Sequence, residues 1–380
     1  MILYEYTRKN QHPKTQKMGY CNLKEKNVYL CQMDKAKKQL ERKTAGDGEK
    51  QMQEGKRPKA GIRKKRGFLA AGIVLLLLLC INIFCSGSRF LFREICARRE
   101  TAWPDLGAAD DVQYGILTEA YRIRKEEPAE HVTVRAGDGT QLAADYYERK
   151  EGAPVVLYFH GYRSHAVVDG IPAYRITEQL NWNLLLAASR AHGKSGGDYC
   201  GMGVLERYDC RDWAAWAAER FGAETPLFLM GVSMSGTAVM MSSSLDLPES
   251  VCGIIDDCGY DSFPEMLAQK VREKTSAHFP VLLFVFALEC GAGMTGGFHF
   301  SDADACSALA QTDIPLLMIH SDADTTVPLS SAYRLYDSCR SEKQIKIIHG
   351  ADHGENYRVD PDGYEETVIA FLRKYARSGF

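Results

Sequence analysis

Ser233 lies in a stretch whose residue pattern could activate a hydroxyl group for attack on a carbonyl carbon. The run PLFLMGVSMSGTAVM, residues 226–240, is typical of a short apolar strand, a tight turn and a helix. A serine hydroxyl is a weak nucleophile at neutral pH, so acyl transfer needs an adjacent base and amide donors aimed at the developing oxyanion. Gly231 leaves room for the turn, and the N–H of Met234 lies at the helix start, where negative charge is stabilised. The pattern favours Ser233 as a nucleophile, although many parallel-sheet crossovers share it.

The elements around this turn predict a mostly parallel sheet with helices on both faces. A hairpin is expected about the GDGT turn in residues 131–149, and helices are expected over 205–221 and 364–375. Short apolar segments that alternate with amphipathic helices are typical of strands buried on both faces. The strand-like segments are residues 154–160, 184–189, 227–233, 251–256, 315–320 and 344–349.

The polar residues that follow these strands form an ordered set. Residues 160–162 read His-Gly-Tyr, Ser233 follows a later strand, and the last two strands lead into HSDADTTVP and HGADHGENY. In open α/β sheets the working residues lie at the carboxyl ends of the strands. The chain therefore presents a nucleophile, then an acid loop, then a histidine loop.

With this order the sequence resembles the α/β-hydrolases over residues 132–375. It is most similar to their serine aminopeptidase-like and monoacylglycerol-lipase-like bacterial branch, which includes relatives with an N-terminal membrane anchor. Ser235 replaces the last glycine of the family's G-x-S-x-G elbow. IHSDADTTVP resembles the family's I-H-G-x-x-D-x-x-V-P run, which implies that Asp324 is the acid and that Asp322 is a loop carboxylate. The implied fold is an α/β-hydrolase sheet with a small helical cap.

Three histidines, His320, His349 and His353, could act as the base. His353 is favoured because it lies in the loop beyond the last strand, whereas the other two end strands. The resemblance also implies an oxyanion hole formed by the backbone N–H groups of Tyr162 and Met234. The stretch ASRAHGKSGGDYCGMG resembles the family's D-x-R-G-H-G-x-S run, and its His192 is expected to pack within the loop.

The chain upstream of this domain is organised by charge and hydropathy. Residues 1–67 carry 19 Lys and Arg against 7 Asp and Glu and show no apolar periodicity, so they are expected to be disordered and cytoplasmic. Phe68–Cys85 contains no charged residue and would form roughly 27 Å of helix, about the thickness of a bilayer core. The basic cluster before it predicts that the remainder lies outside the cell. A cleaved signal peptide is the alternative.

The predicted organisation is therefore a basic segment (1–67), a transmembrane anchor (68–85), a juxtamembrane linker (86–130) and a hydrolase domain (131–378) with a cap at about 260–310. In that cap Phe279, Leu282, Phe284 and Phe286 could line an acyl pocket or pack on the sheet edge.

Twelve cysteines are present, and their spacing does not determine any pairing. Cys258 is expected to be a buried thiol. Zinc and dinucleotide motifs do not occur in the sequence, so neither a metal nor a cofactor is expected. No recognisable nucleic-acid-binding fold accompanies the basic charge, so lipid head groups are its favoured partner over nucleic acid.

The sequence predicts a single-pass, membrane-anchored serine hydrolase of the cell membrane that cleaves a small or lipid-like carboxylic ester. Ser233, His353 and Asp324 would carry the reaction. An aminopeptidase or amidase on the same residues is one alternative, and a non-catalytic binding domain with the same fold is another. The oligomeric state is left open.

Overall fold

The structure is a computed structural model that describes residues 60–376 apart from residues 109, 277 and 303. Of the predicted cytoplasmic segment, residues 1–59 lie outside the described part of the chain. Residues 60–67 belong to the first helix, α1 (Ala60–Cys96).

The strands of the described residues form one eight-stranded sheet in the order β1-β2-β4-β3-β5-β6-β7-β8. The pairs β1–β2 and β2–β4 are antiparallel, and the other neighbours run parallel. The predicted hairpin and the mostly parallel sheet are both confirmed. The strands are β1 (Glu130–Arg135), β2 (Gln141–Tyr147), β3 (Val155–Phe159), β4 (Asn183–Ala188), β5 (Leu227–Val232), β6 (Val251–Asp257), β7 (Leu316–Ser321) and β8 (Lys343–Ile348).

Helices cover both faces of the sheet because its central strands are apolar on both sides. Strands β3 and β5 are buried throughout. Trp213 and Val239 belong to the core on one face, and Ile176 and Phe371 belong to the core on the other. The helices after α1 are α2 (Asp111–Glu126), α3 (Ala166–Asp169), α4 (Ile171–Leu180), α5 (Glu206–Phe221), α6 (Met234–Ser242), α7 (Phe263–Lys274), α8 (Val281–Gly291), α9 (Ala305–Leu309), α10 (Leu329–Ser338), α11 (Asn356–Val359) and α12 (Pro361–Tyr375).

The predicted linker, residues 86–130, is largely packed on the domain. Helix α1 continues past Cys85 as far as Cys96, and Phe92 and Cys96 are fully buried in a core cluster with Phe298. Helix α2 buries Ala120 and Ile123 in the core cluster that also contains Ile171 and Ile176 of α4. These contacts stabilise helical structure that extends beyond the apolar segment.

Helix α1 also crosses the boundary between the two compact units of the chain, which lies after Leu77. The segment Phe68–Cys96 is long and apolar enough to cross a membrane, and its most apolar window is not buried against protein. Among the described residues, no other unbroken helix is long and apolar enough to cross a membrane.

The predicted cap consists of α7 and α8, a π-helical turn (Ala292–Gly296) and a 3₁₀ turn (Phe300–Asp302), followed by α9. The four apolar residues proposed for an acyl pocket or the sheet edge lie in different environments. Leu282 and Phe286 are exposed, and Phe284 packs on Phe279 with ring centroids 5.9 Å apart. A short run such as VLLFVF leaves open which face of its helix is buried, because almost every position is apolar.

Candidate active site

Ser233 occupies a strained turn between β5 and α6. Its backbone has φ 55° and ψ −115°, which a non-glycine residue rarely adopts. The turn is tight enough that a Cβ on Gly231 would overlap the backbone carbonyl of Ser235. Ser235 is buried, and its hydroxyl donates to the backbone carbonyl of His160 at 2.5 Å. A small hydroxyl side chain therefore replaces glycine at this position without disturbing the turn.

Ser233, His353 and Asp324 form a continuous hydrogen-bond chain. Ser233 Oγ lies 2.8 Å from His353 Nε2, and His353 Nδ1 lies 2.8 Å from Asp324 Oδ2. Because an ionised carboxylate only accepts, Nδ1 carries the proton and Nε2 is left to accept from the serine hydroxyl. This is the arrangement that a serine nucleophile needs.

Asp324 is held by the backbone of its own loop. Its Oδ1 accepts the N–H groups of Thr326 and Val327 at 2.7 and 2.8 Å, so the other oxygen faces His353. The carboxylate side chain is 1 % exposed. Hydrogen bonds to the charged form stabilise a buried carboxylate and fix its orientation.

The other candidates lie outside this hydrogen-bond chain: Asp322 for the acid, and His349 and His320 for the base. Asp322 accepts from Gly350 N–H at 2.9 Å and pairs with His349 Nδ1 at 2.7 Å, and the His349 side chain is 84 % exposed. His320 is buried, and its Nε2 donates to the Val327 carbonyl at 3.0 Å. His320 Nε2 also lies 3.8 Å from Asp324 Oδ2, so this imidazole packs behind the acid loop.

Tyr162 and Met234, whose amides are proposed as oxyanion donors, line the same cavity as Ser233. Met234 is the first residue of α6, where amides have no acceptor within the helix. The loop that carries Tyr162 is held from two sides. Gly161 N–H donates to Asp169 Oδ2 at 2.9 Å, and Arg163 N–H donates to His192 Nε2 at 3.0 Å.

His160 and His192 support this loop as neutral imidazoles. His160 Nε2 accepts from Ser189 N–H at 3.0 Å, and His192 Nδ1 lies 2.8 Å from the Arg190 carbonyl. Burial lowers the pKa of His160 to about 3 and also lowers the pKa of His192. His192 thus packs within its loop, as expected from the sequence.

Two aspartates near the site, the half-buried Asp169 and the buried Asp257, were not singled out from the sequence. Asp169 accepts from Gly161 N–H and from the Ser164 hydroxyl. Asp257 accepts from Asn356 Nδ2 at 2.7 Å and from the Tyr364 hydroxyl at 2.9 Å. Burial raises the pKa of both carboxyls. The position of Asp257 at the end of β6 was a usable signal, whereas Asp169 lies in a short helix that the sequence does not mark.

A cavity of 570 Å³ opens beside Ser233 and His353. Its wall near the serine is mainly apolar and includes Phe263, Met266 and Leu267 from α7 and Ile95 from α1. The backbone carbonyl of Ile95 accepts from the Tyr162 hydroxyl. The end of the long apolar helix is therefore part of this cavity, which the sequence did not predict.

Cys258 lies against the histidine and the acid. One ligand atom from each of Cys258, Asp324 and His353 lies within 4.8 Å of the others, a grouping that could hold a metal ion. Burial raises the pKa of the Cys258 thiol well above its usual range, and a protonated thiol is a poor metal ligand. His353 Nδ1 and Asp324 Oδ2 also bond to each other, so the geometry suits a hydrogen-bond relay better than a metal centre.

Comparisons with known proteins agree with the fold. No family model matches the sequence. The uncharacterized protein YqkD of Bacillus subtilis is 26 % identical over 219 residues, which cover 57 % of this chain and 70 % of YqkD. The lysophosphatidylserine lipase ABHD12 of Danio rerio is 24 % identical over 220 residues, 53 % of this chain and 52 % of that protein. The Pyrococcus furiosus esterase Pf2001 superposes with a TM-score of 0.53 at 20 % identity, covering 66 % of this chain and 92 % of the esterase. The chain has the α/β-hydrolase fold.

Proposed function

We propose that this chain is a serine hydrolase that cleaves carboxylic esters through an acyl-enzyme on Ser233. The observation that carries the proposal is the hydrogen-bond chain from Ser233 through His353 to Asp324. The names of two similar proteins, an esterase and a lipase, point in the same direction. The resemblance to the serine aminopeptidase-like and monoacylglycerol-lipase-like branch is consistent with this chemistry.

The reaction begins when Ser233 Oγ attacks the ester carbonyl carbon and its proton passes to His353 Nε2. The carbonyl oxygen becomes an oxyanion and accepts hydrogen bonds from the N–H groups of Tyr162 and Met234. Collapse of the tetrahedral intermediate breaks the ester C–O bond, and His353 returns the proton to the departing alcohol. Water then repeats these steps and releases the carboxylic acid, while Asp324 stabilises the imidazolium.

Ester cleavage is favoured over aminopeptidase activity by the charges around the cavity. An ammonium group needs an accessible, ionised carboxylate. The lining carboxylates Asp169 and Asp257 are occupied by hydrogen bonds inside the protein, and burial raises their pKa. Of the cap acids, Glu289 accepts from the backbone of Phe300 and Ser301. The apolar cavity instead suits an acyl chain of short or medium length.

We also propose that Phe68–Cys85 anchors the chain in the cell membrane with the hydrolase domain outside. Its composition and length support a span. The cluster Arg63, Lys64, Lys65 and Arg66 directly before it supports the orientation.

Labelling with a fluorophosphonate probe tests the nucleophile. The purified full chain should be labelled, the Ser233→Ala variant should not, and the matched Ser235→Ala variant should keep its label. Equal labelling of the Ser233→Ala chain would remove the assignment, and an unlabelled wild-type chain would favour a non-catalytic binding domain.

A substrate comparison tests ester against amide cleavage. The chain should hydrolyse p-nitrophenyl butyrate well above the Ser233→Ala control and leave aminoacyl anilides nearly untouched. A clear preference for the anilides would establish the peptidase alternative.

A further inference from the structure

Helix α8 presents an apolar face to the surroundings of the protein. Leu282, Leu283 and Phe286 are 75, 54 and 58 % exposed, and Phe279 just before the helix is 38 % exposed. The first charged residue of the helix is Glu289, in its last turn. A continuous exposed apolar surface of this kind marks a site of contact with a protein or a membrane.

Two contacts determine how α8 lies against α1. A Cβ on Gly291 would overlap the backbone carbonyl of Ser88, so the two helices touch there at backbone distance. Five residues earlier in α8, the Phe286 ring stacks on Phe84 with centroids 5.9 Å apart and planes inclined by 28°. From the first contact to the second, the residue numbers decrease along both helices, so α8 runs parallel to α1. At 1.5 Å per residue, Leu282 lies roughly 6 Å beyond Phe286 toward the apolar segment.

The exposed part of α8 therefore lies at the level of α1 residues that are also exposed and apolar. Leu78, Leu79 and Ile81 are 57, 54 and 58 % exposed. Phe286 contacts Phe84 next to both sets of side chains, so we expect the medium that covers this part of α1 to cover Leu282 and Leu283 as well. If α1 spans the bilayer, that medium is lipid.

We propose that Phe279 and the first half of α8 insert among the acyl chains of the leaflet that contains the C-terminal end of the apolar segment. The proposal rests on the proposed membrane span. Arg272, which is exposed, lines a groove with Leu282 and Leu283. Helix α7, which bears Arg272, also contributes Met266 and Leu267 to the cavity beside Ser233. The domain is thus attached to the membrane at its cap as well as by its anchor.

Photo-crosslinking in the full chain tests this contact. The photoreactive residue p-benzoylphenylalanine is placed at Leu283, at Leu79 in α1 or at Glu151, an exposed turn residue before β3 at the opposite end of the strands from Ser233. Each variant is reconstituted into vesicles of phosphatidylcholine and phosphatidylglycerol, irradiated and analysed for lipid adducts by mass spectrometry. Lipid adducts are expected at Leu283 and Leu79 and absent at Glu151.

The outcomes separate this proposal from the proposed anchor. Lipid adducts at Leu79 with none at Leu283 would overturn membrane insertion of α8 and leave the span intact. A crosslink from Leu283 to a second copy of the chain would overturn it as well, because the apolar face would then be a self-contact. Absence of lipid at both positions would overturn the span and the insertion together.

Discussion

At the scale of single residues, the proposed chemistry depends on which aspartate faces His353. Asp324→Asn should lower kcat by roughly 10⁴-fold and His353→Ala by at least as much, with little change in KM, since both groups act in the transition state. Rates of ester hydrolysis over a range of substrate concentrations measure both kcat and KM.

Asp322→Asn is the matched control for this prediction. Its carboxylate binds His349 and Gly350 and makes no hydrogen bond to His353 among the described contacts. Its kcat should remain close to wild type. A large loss in Asp322→Asn with a small loss in Asp324→Asn would show that the acid is misassigned.

Asp256 gives a prediction about stability and pH. It is fully buried beneath the elbow, its Oδ1 accepts from Gly259 N–H at 3.0 Å, and Oδ2 has no partner among the described residues. Burial raises the pKa of Asp256 well above its usual range, so the folded state holds the proton more tightly than the unfolded chain. This contribution to stability is fully present below the unfolded pKa and is lost as the pH rises through the folded pKa.

Asp256→Asn removes this titration, because asparagine does not ionise. From pH 5 to pH 9 the wild-type chain should lose stability relative to the variant by up to the order of 1 kcal/mol per pH unit. Thermal unfolding at several pH values measures the difference, and exposed Asp246→Asn is the control. Parallel pH profiles for wild type and Asp256→Asn would contradict a raised pKa of Asp256.

At the scale of elements, the end of α1 is part of the domain. Phe92 is fully buried, and its ring lies 5.0 Å from Tyr199 and 5.9 Å from Phe298. Beyond the helix, Cys200 N–H donates to the Cys96 carbonyl at 2.9 Å. The same helix end supports Tyr162, whose amide is a proposed oxyanion donor, through the carbonyl of Ile95.

Phe92→Ala should therefore destabilise the domain by about 3–5 kcal/mol, the usual result of removing a buried aromatic ring. Phe90→Ala, two residues away and 66 % exposed, should change stability little. Thermal unfolding of both variants in detergent compares them. Equal stability of the two variants would mean that α1 only tethers the domain.

At the scale of the whole molecule, the charge distribution predicts its topology. Residues 1–67 carry a net charge of +12 and the rest of the chain carries −14. Since basic segments stay on the cytoplasmic side, protease added to intact cells should digest the hydrolase domain. Survival of the domain until the cells are lysed would reverse the orientation and place the proposed active site in the cytoplasm.

Much of the fold was predictable from the chain because its signals are local. The apolar strands, the GDGT hairpin and the helix over 205–221 follow from periodicity and turn residues, and each predicted strand lies within one residue of the observed one at either end. The elbow at Ser233 is also a local pattern. These features depend on residues that are close in sequence, so the amino-acid order determined them.

Other features depended on residues that only the tertiary structure brings together. The sequence offered three histidines and two aspartates, and it is the packing of the loops after β7 and β8 that sets His353 between Ser233 and Asp324. Ile95 lines the cavity although 138 positions separate it from Ser233 in the numbering. The sequence also did not show which face of α8 is exposed. In a run of apolar residues, contacts with the neighbouring helix decide which side chains are buried. Contacts between residues far apart in sequence have no local sequence pattern, and for that reason only the tertiary structure determined them.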